Sequence, residues 1–161
     1  MEIIKITQAT DNLAQMVALF RVELRSYKGI VSKPNVDAGR EEMEEYLAAG
    51  FPVFAAVVDG EYAGYVVCRV EAPVVWVESI FVKEKHRRHG IASALHSRAE
   101  ELAASYGEET VYNYVHPNNH RMIEFLRKRG YTVLNLIEIR KPHTGEKLTQ
   151  NICVGEHGFD Y

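Results

Sequence analysis

Residues 76–92 constrain the fold more than any other stretch. Trp76-Val77-Glu78-Ser79-Ile80-Phe81-Val82 is apolar enough for a buried strand, broken by one carboxylate. A basic loop follows, Lys83 to His89, and then Gly90. Ile91, Leu95, Ala99, Leu102 and Tyr106 recur at helical spacing and predict a helix over 90–106. A strand that turns through a glycine into a helix leaves the first-turn N–H groups without internal partners, at the positive end of the helix dipole. Gly90 has no Cβ, so a ligand can approach the backbone, and Arg87 and Arg88 can grip phosphate oxygens in pairs. The segment therefore reads as a site for a phosphorylated ligand, or else as a solvated basic turn.

The remaining chain predicts β-α-α-β-β-β-α-β-α-β-β. Residues 3–6 suit a first strand. Asp11 is placed to cap a helix through Ser26, with Leu13, Val17, Phe20 and Leu24 on one face. A loop over 27–37 leads to a second helix over 38–49. Strands follow over 53–58, 61–71 and 74–82, with Asp59-Gly60 as a hairpin turn. After the long helix come a strand over 110–115 and a helix opened by Pro117-Asn118-Asn119. That helix carries Met122, Ile123 and Leu126 inward and stops at Gly130. Residues 131–140 and 147–154 alternate like a closing antiparallel pair around Pro142-His143-Thr144-Gly145. The fold class is α/β (α+β), a mixed sheet with helices on its faces, and 161 residues suit a single domain, 1–161.

A formal net charge of -3 argues against a general nucleic-acid binder. No apolar stretch is long enough for a membrane span, the N-terminus lacks signal-peptide architecture, and two distant cysteines suit a reducing cytoplasm. No histidine or cysteine spacing suits a metal, so none is expected. The GxxxxGK[ST] and GxGxxG patterns are absent.

Glu78 is the one carboxylate inside the apolar strand. Strict alternation would put it on one face with Trp76, Ile80 and Val82. Burial there would push its pKa up toward the working range of a general base. The alternative is a side chain that reaches solvent or pairs with an arginine.

Arg87-Arg88-His89-Gly90-Ile91-Ala92 resembles the R/Q-x-x-G-x-G/A signature of the GNAT superfamily of acyl-CoA-dependent N-acetyltransferases. The strand before it, Asn119, and Gly130-Tyr131 closing the later helix fit as well. The resemblance implies a GNAT fold, a mostly antiparallel central sheet flanked by helices, and acetyl-CoA as co-substrate. It implies pantetheine contacts along Ile80, Phe81 and Val82, and a pyrophosphate held by Arg87, Arg88, His89, Gly90, Ile91, Ala92 and Ser93. Asn119 would bond the pantetheine region, Phe125 and Leu126 would line the thioester channel, and Glu78 would be the base. The implied reaction is direct acetyl transfer in a ternary complex to a primary amine, on a small molecule or a peptide or protein. The alternative is a non-catalytic acyl-CoA sensor. Homodimers are common in the family but have no specific signal here.

One departure stands out. Leu126 occupies the position of the family's tyrosine acid, which protonates the departing thiolate. Tyr112, Tyr114 and His116 are nearby substitutes in sequence. Neither cysteine lies near the motifs, which disfavours an acetyl-cysteine intermediate. Glu23, Asp37, Glu41 and Glu42 flank the loop after the first helix and favour a cationic acceptor, though a solvated acidic face explains Glu41 to Glu45 equally well.

Overall fold

The computed structural model describes all residues, Met1–Tyr161, in two compact units, Met1–His116 and Pro117–Tyr161. The first holds β1 (Glu2–Ile6), α1 (Asp11–Ser26), α2 (Val36–Ala48), β2 (Val53–Val58), β3 (Glu61–Glu71), β4 (Val74–Val82), α3 (Ile91–Ser105) and β5 (Tyr112–Asn113). Its sheet runs β1-β2-β3-β4-β5. Every pairing is antiparallel except β4 with β5, which is parallel.

The helices of the first unit start where side-chain oxygens meet orphan amides. Thr10, not Asp11, caps α1 by accepting from the Leu13 N–H; Asp11 sits in the first turn, where its charge suits the helix dipole. Asn35 caps α2 through the Ala38 N–H, so α2 begins two residues before the expected start. Gly39 lets α2 cross α1 closely, since a Cβ there would lie 2.3 Å from the Ala14 carbonyl oxygen. Leu13, Met16, Val17 and Met43 from these helices close over Val53, Ala55, Tyr65, Val67 and Phe81 of the sheet. On α3, Ile91, Leu95 and Ala99 are buried as the pattern requires, but Leu102 is only half-buried and Tyr106, just past the helix end, is exposed; Ala103 and His96 are buried instead.

The second unit contains α4 (His120–Lys128) and a hairpin of β6 (Asn151–Val154) and β7 (His157–Asp160). Asn119 caps α4, and the Tyr131 N–H donates to the Leu126 carbonyl with Gly130 at φ 91°, a Schellman ending.

Two strand expectations fail. The strand over 110–115 shrinks to two paired residues. Residues 131–140 form no strand despite Val133, Leu134, Leu136, Ile137 and Ile139, all exposed. The closing pair is instead β6 with β7, turned at Gly155 (φ 60°). The stretch around His143 is held differently, by Arg140 paired to Glu146 at 2.6 Å and by the His143 N–H donating to Glu146.

Candidate active site

The site begins with a register slip. Val67 pairs with Ser79, and the next residue, Cys68, pairs with Val77. Glu78 is thus the extra residue of a β-bulge on β4. Cross-strand partners share a face, so the slip sorts β4 in two. Ser79 bonds the buried Tyr65 hydroxyl at 2.9 Å and Phe81 joins the cluster under α1 and α2. Ile80 pairs with Val66, and Val82 lies with Leu95 of α3 beside Gly64. Trp76 pairs with Arg69, two residues from Val67. Trp76 and Glu78 therefore share the α1/α2 face, whereas Ile80 and Val82 face α3. The expected common face for all four does not exist, because the bulge inserts one residue between them.

The apolar surround expected for Glu78 is also absent. Its carboxylate accepts from Arg69 Nε at 3.3 Å, and its side chain keeps 29% exposure, enough for water to reach it. Of the alternatives, partnership with an arginine and access to solvent are both realised. On α2, burial first and then its hydrogen bond to Glu42 hold the Tyr46 hydroxyl well above the usual phenol range; the charge on Glu78 adds to the effect.

Beside the bulge the sheet forks. β5 pairs only through Trp76↔Tyr112 and Val77↔Asn113. From Glu78 to Val82 the β5-facing edge of an interior strand has no strand neighbour. The Lys83 N–H donates to the Ala63 carbonyl, so Phe81 turns its peptide groups to Tyr65 on β3, and those of Ile80 and the Val82 N–H face the open edge, where an amide-bearing ligand can meet them.

The open strand leads into the basic loop. A single 3-10 turn, Glu84–His86, precedes Arg88 (φ 63°) and Gly90 (φ 78°), both left-handed. Gly90 is the N-cap of α3 and supplies no side-chain cap, which leaves the amides of Ile91, Ala92 and Ser93 facing outward. Arg88, His89 and Gly90 are exposed. Arg87 is engaged elsewhere: it donates to the Val82 carbonyl at 2.9 Å, pairs with Glu23 of α1 at 2.8 Å and lies 5.6 Å over the Phe81 ring. Lys85 pairs with Glu61 at 2.5 Å and holds that carboxyl below the usual range.

Asn119, Phe125 and Leu126 lie in the second unit. The Asn119 side-chain Oδ1 is occupied as the α4 cap, Phe125 lies 5.8 Å from the Arg129 guanidinium, and Leu126 is the buried residue of α4.

Arg69 and the position of Cys68 escaped the sequence, and Tyr114 was one of three substitute acids it left open. Arg69 and Tyr114, 45 positions apart, meet at 2.9 Å beside Glu78. Cys68 sits opposite Val77, next to the bulge rather than far from it. It faces α3, however, and burial pushes its thiol up to about 12, which leaves no thiolate to attack a thioester. The acidic residues also differ from expectation. Glu23 is taken by Arg87 and Tyr27, and Glu42 by Arg21 at 2.5 Å and Tyr46; Asp37 and Glu41 are exposed. No helix is long and apolar enough to cross a membrane, and no three His, Cys, Asp or Glu side chains cluster in a way that could hold a metal ion.

Residues 16–131 match the acetyltransferase (GNAT) family. An N-alpha-acetyltransferase of Sulfurisphaera tokodaii is 33% identical over 110 residues, covering 60% of this chain and 64% of that protein, so the match spans less than two thirds of the relative. Among solved structures, a ribosomal-protein-alanine N-acetyltransferase from Brucella melitensis superposes with a TM-score of 0.65 at 15% identity, over 89% of this chain and 100% of the other. An aminoglycoside 6'-N-acetyltransferase from Acinetobacter haemolyticus gives 0.64 at 19%, over 89% and 99%. These similarities establish a common fold: a mixed, mostly antiparallel sheet flanked by helices.

Proposed function

The chain belongs to the acetyltransferase (GNAT) family, and from that premise we propose that it transfers the acetyl group of acetyl-CoA to a primary amine by direct attack within a ternary complex. We read residues 1–161 as one N-acetyltransferase domain, since the family match crosses from the first unit into the second.

The observation that carries this reading is the fork. An interior strand that loses its neighbour at a bulge offers a row of unpaired peptide groups to the amides of a pantetheine arm. The row runs from Ile80 to Val82 straight into a left-handed loop whose amides suit a pyrophosphate. Arg88, exposed and adjacent to Gly90, supplies side-chain charge there, with His89 beside it. Arg87 serves by fixing the loop to the end of β4 and to α1. The Asn119 side-chain oxygen caps α4; cofactor contacts of Asn119, Phe125 and Leu126 are what the family resemblance implies.

Glu78 acts as the base, directly or through a water admitted by its exposure. An alkylammonium near pKa ~10 must lose a proton before its nitrogen can attack. Cys68, buried and with its thiol pushed up to about 12, offers no thiolate for a covalent acetyl-enzyme.

The acceptor class stays broad: a peptide N-terminus, as the name of the Sulfurisphaera relative suggests, or an aminoglycoside, as the name of the Acinetobacter structure suggests, or another small amine. Glu23 and Glu42 are already charge-paired, so a cationic acceptor has less free acid to meet than the sequence implied.

The test is CoA release from acetyl-CoA with spermidine, sisomicin and an alanine-initiated peptide. At least one amine turns over, and two-substrate velocities give intersecting lines. Parallel lines would sink the ternary complex, and no release with any amine would sink the enzyme.

A further inference from the structure

We infer that Tyr114 is the proton donor to the departing thiolate, held in place by Arg69; the inference rests on the acetyl-transfer reading above. The last paired residues of β4 and β5 are Val77 and Asn113. The next residue on each strand is Glu78 on one prong and Tyr114 on the other, so the two polar side chains flank the mouth of the fork.

One guanidinium reaches both. Arg69 donates Nε to Glu78 at 3.3 Å and Nη2 to the Tyr114 hydroxyl at 2.9 Å, while Nη1 pairs with Glu71. Its guanidinium carbon lies 4.3 Å over the Trp76 ring and 5.8 Å from the Tyr114 ring. A planar fork between two aromatic rings has little freedom, so it fixes the spacing of the two groups it bonds.

The direction of the Tyr114 bond matters. A phenol both donates and accepts. Here Arg69 fills the accepting role, which leaves the O–H proton to be given elsewhere. The other two substitutes suggested by the sequence are engaged differently: the Tyr112 ring packs against Trp76 at 5.8 Å, and the His116 ring against Tyr27 at 5.4 Å. Tyr114 is also 59% exposed, open to an incoming substrate and to water.

The step balances. The amine nitrogen bonds to the thioester carbon and gives one proton to Glu78. The C–S bond breaks, its electron pair stays on sulfur, and the Tyr114 O–H proton goes to that sulfur. Water at the exposed mouth returns the Glu78 proton to the Tyr114 oxygen. Tyr114 is thus a catalytic residue, whereas Arg69 is a positioning residue.

The experiment compares wild type with Tyr114→Phe, using acetyl-CoA and whichever of spermidine, sisomicin and the alanine-initiated peptide turns over. The ring and its packing stay, and only the hydroxyl leaves. The expected result is a kcat lowered by ~10²-fold, the low end for a general acid because a thiol leaves readily, with an unchanged KM for acetyl-CoA. A high-pH limb in the wild-type kcat profile disappears in the variant. Arg69→Gln lowers kcat and leaves the KM for acetyl-CoA in place. A Tyr114→Phe enzyme with wild-type kcat and an unaltered high-pH limb overturns the assignment while leaving the acetyltransferase intact. A raised KM with unchanged kcat also overturns it, by showing a binding role. A wild type that turns over no amine overturns the parent reading and this one with it.

Discussion

The two halves of β4 differ in what their neighbours allow. From Val74 to Val77 the strand lies against β3, and its last two residues are bonded on the other side to β5 as well. From Glu78 to Val82 it keeps β3 and loses β5. The first half is closed backbone whose side chains pack. The second is half-open backbone beside two ionisable groups held by Arg69. The comparison teaches that stability and chemistry are divided along one strand at one residue. Damage on the closed side should show in unfolding, and damage at the fork in turnover.

The largest expected effect tests the open half. Glu78→Gln should lower kcat by ~10²–10⁴-fold while acetyl-CoA binding, followed by calorimetry, stays within a factor of two or so. Equal loss of binding and rate would erase the distinction between fork and loop. Next comes the packed side. Gly39→Ala forces a methyl onto the Ala14 carbonyl and should cost ~1–3 kcal/mol in urea unfolding, with little change in kcat for the protein that stays folded.

Gly90→Ala is smaller. No atom lies within 4 Å of the new Cβ, so the cost is the left-handed backbone alone, ~1–2 kcal/mol. If the loop binds the phosphates in this conformation, acetyl-CoA affinity drops about five- to thirtyfold, since 1.4 kcal/mol is a factor of ten. The smallest effect is on pH. Burial, and then Lys28, hold His116 below its usual 6.5. The unfolded chain binds that proton more readily than the folded one. The stability is therefore complete above about 6.5 and is lost as pH falls below it. His116→Gln should flatten the decline of the unfolding midpoint between pH 7 and 5.5.

The sequence made β2, β3 and β4 readable because Asp59-Gly60 and Pro73 separate three β-rich runs. The phosphate loop was readable too, because Gly90 follows a basic run and precedes a helical stripe. The bulge was not. Trp76 to Val82 looks like unbroken alternation, and only the register against β3 reveals the extra residue. Arg69, and its choice of Tyr114 among the three candidate acids, were illegible for another reason: local patterns say nothing of a contact across 45 positions. Residues 131–140 show the reverse error. Their β-propensity is high, but propensity describes fit to a neighbour, and these residues have no strand partner. Asn119 shows a third kind of limit, a residue whose side-chain oxygen is occupied by capping before any ligand arrives.

The bulge at Glu78 has one more consequence. It acts as a phase slip: before it Trp76 points toward α1 and α2, and after it Phe81, five residues on, does so as well. An odd separation between two residues on one face is forbidden to a regular strand. Deleting Glu78 would leave Trp76 and Phe81 an even separation apart, so β4 would pair regularly with β3 and the Phe81 core and the Trp76–Arg69 stack would both keep their partners. The extra residue therefore serves the fork rather than the packing. Homologous chains that dispense with the carboxylate can lose the residue with it and keep the sheet.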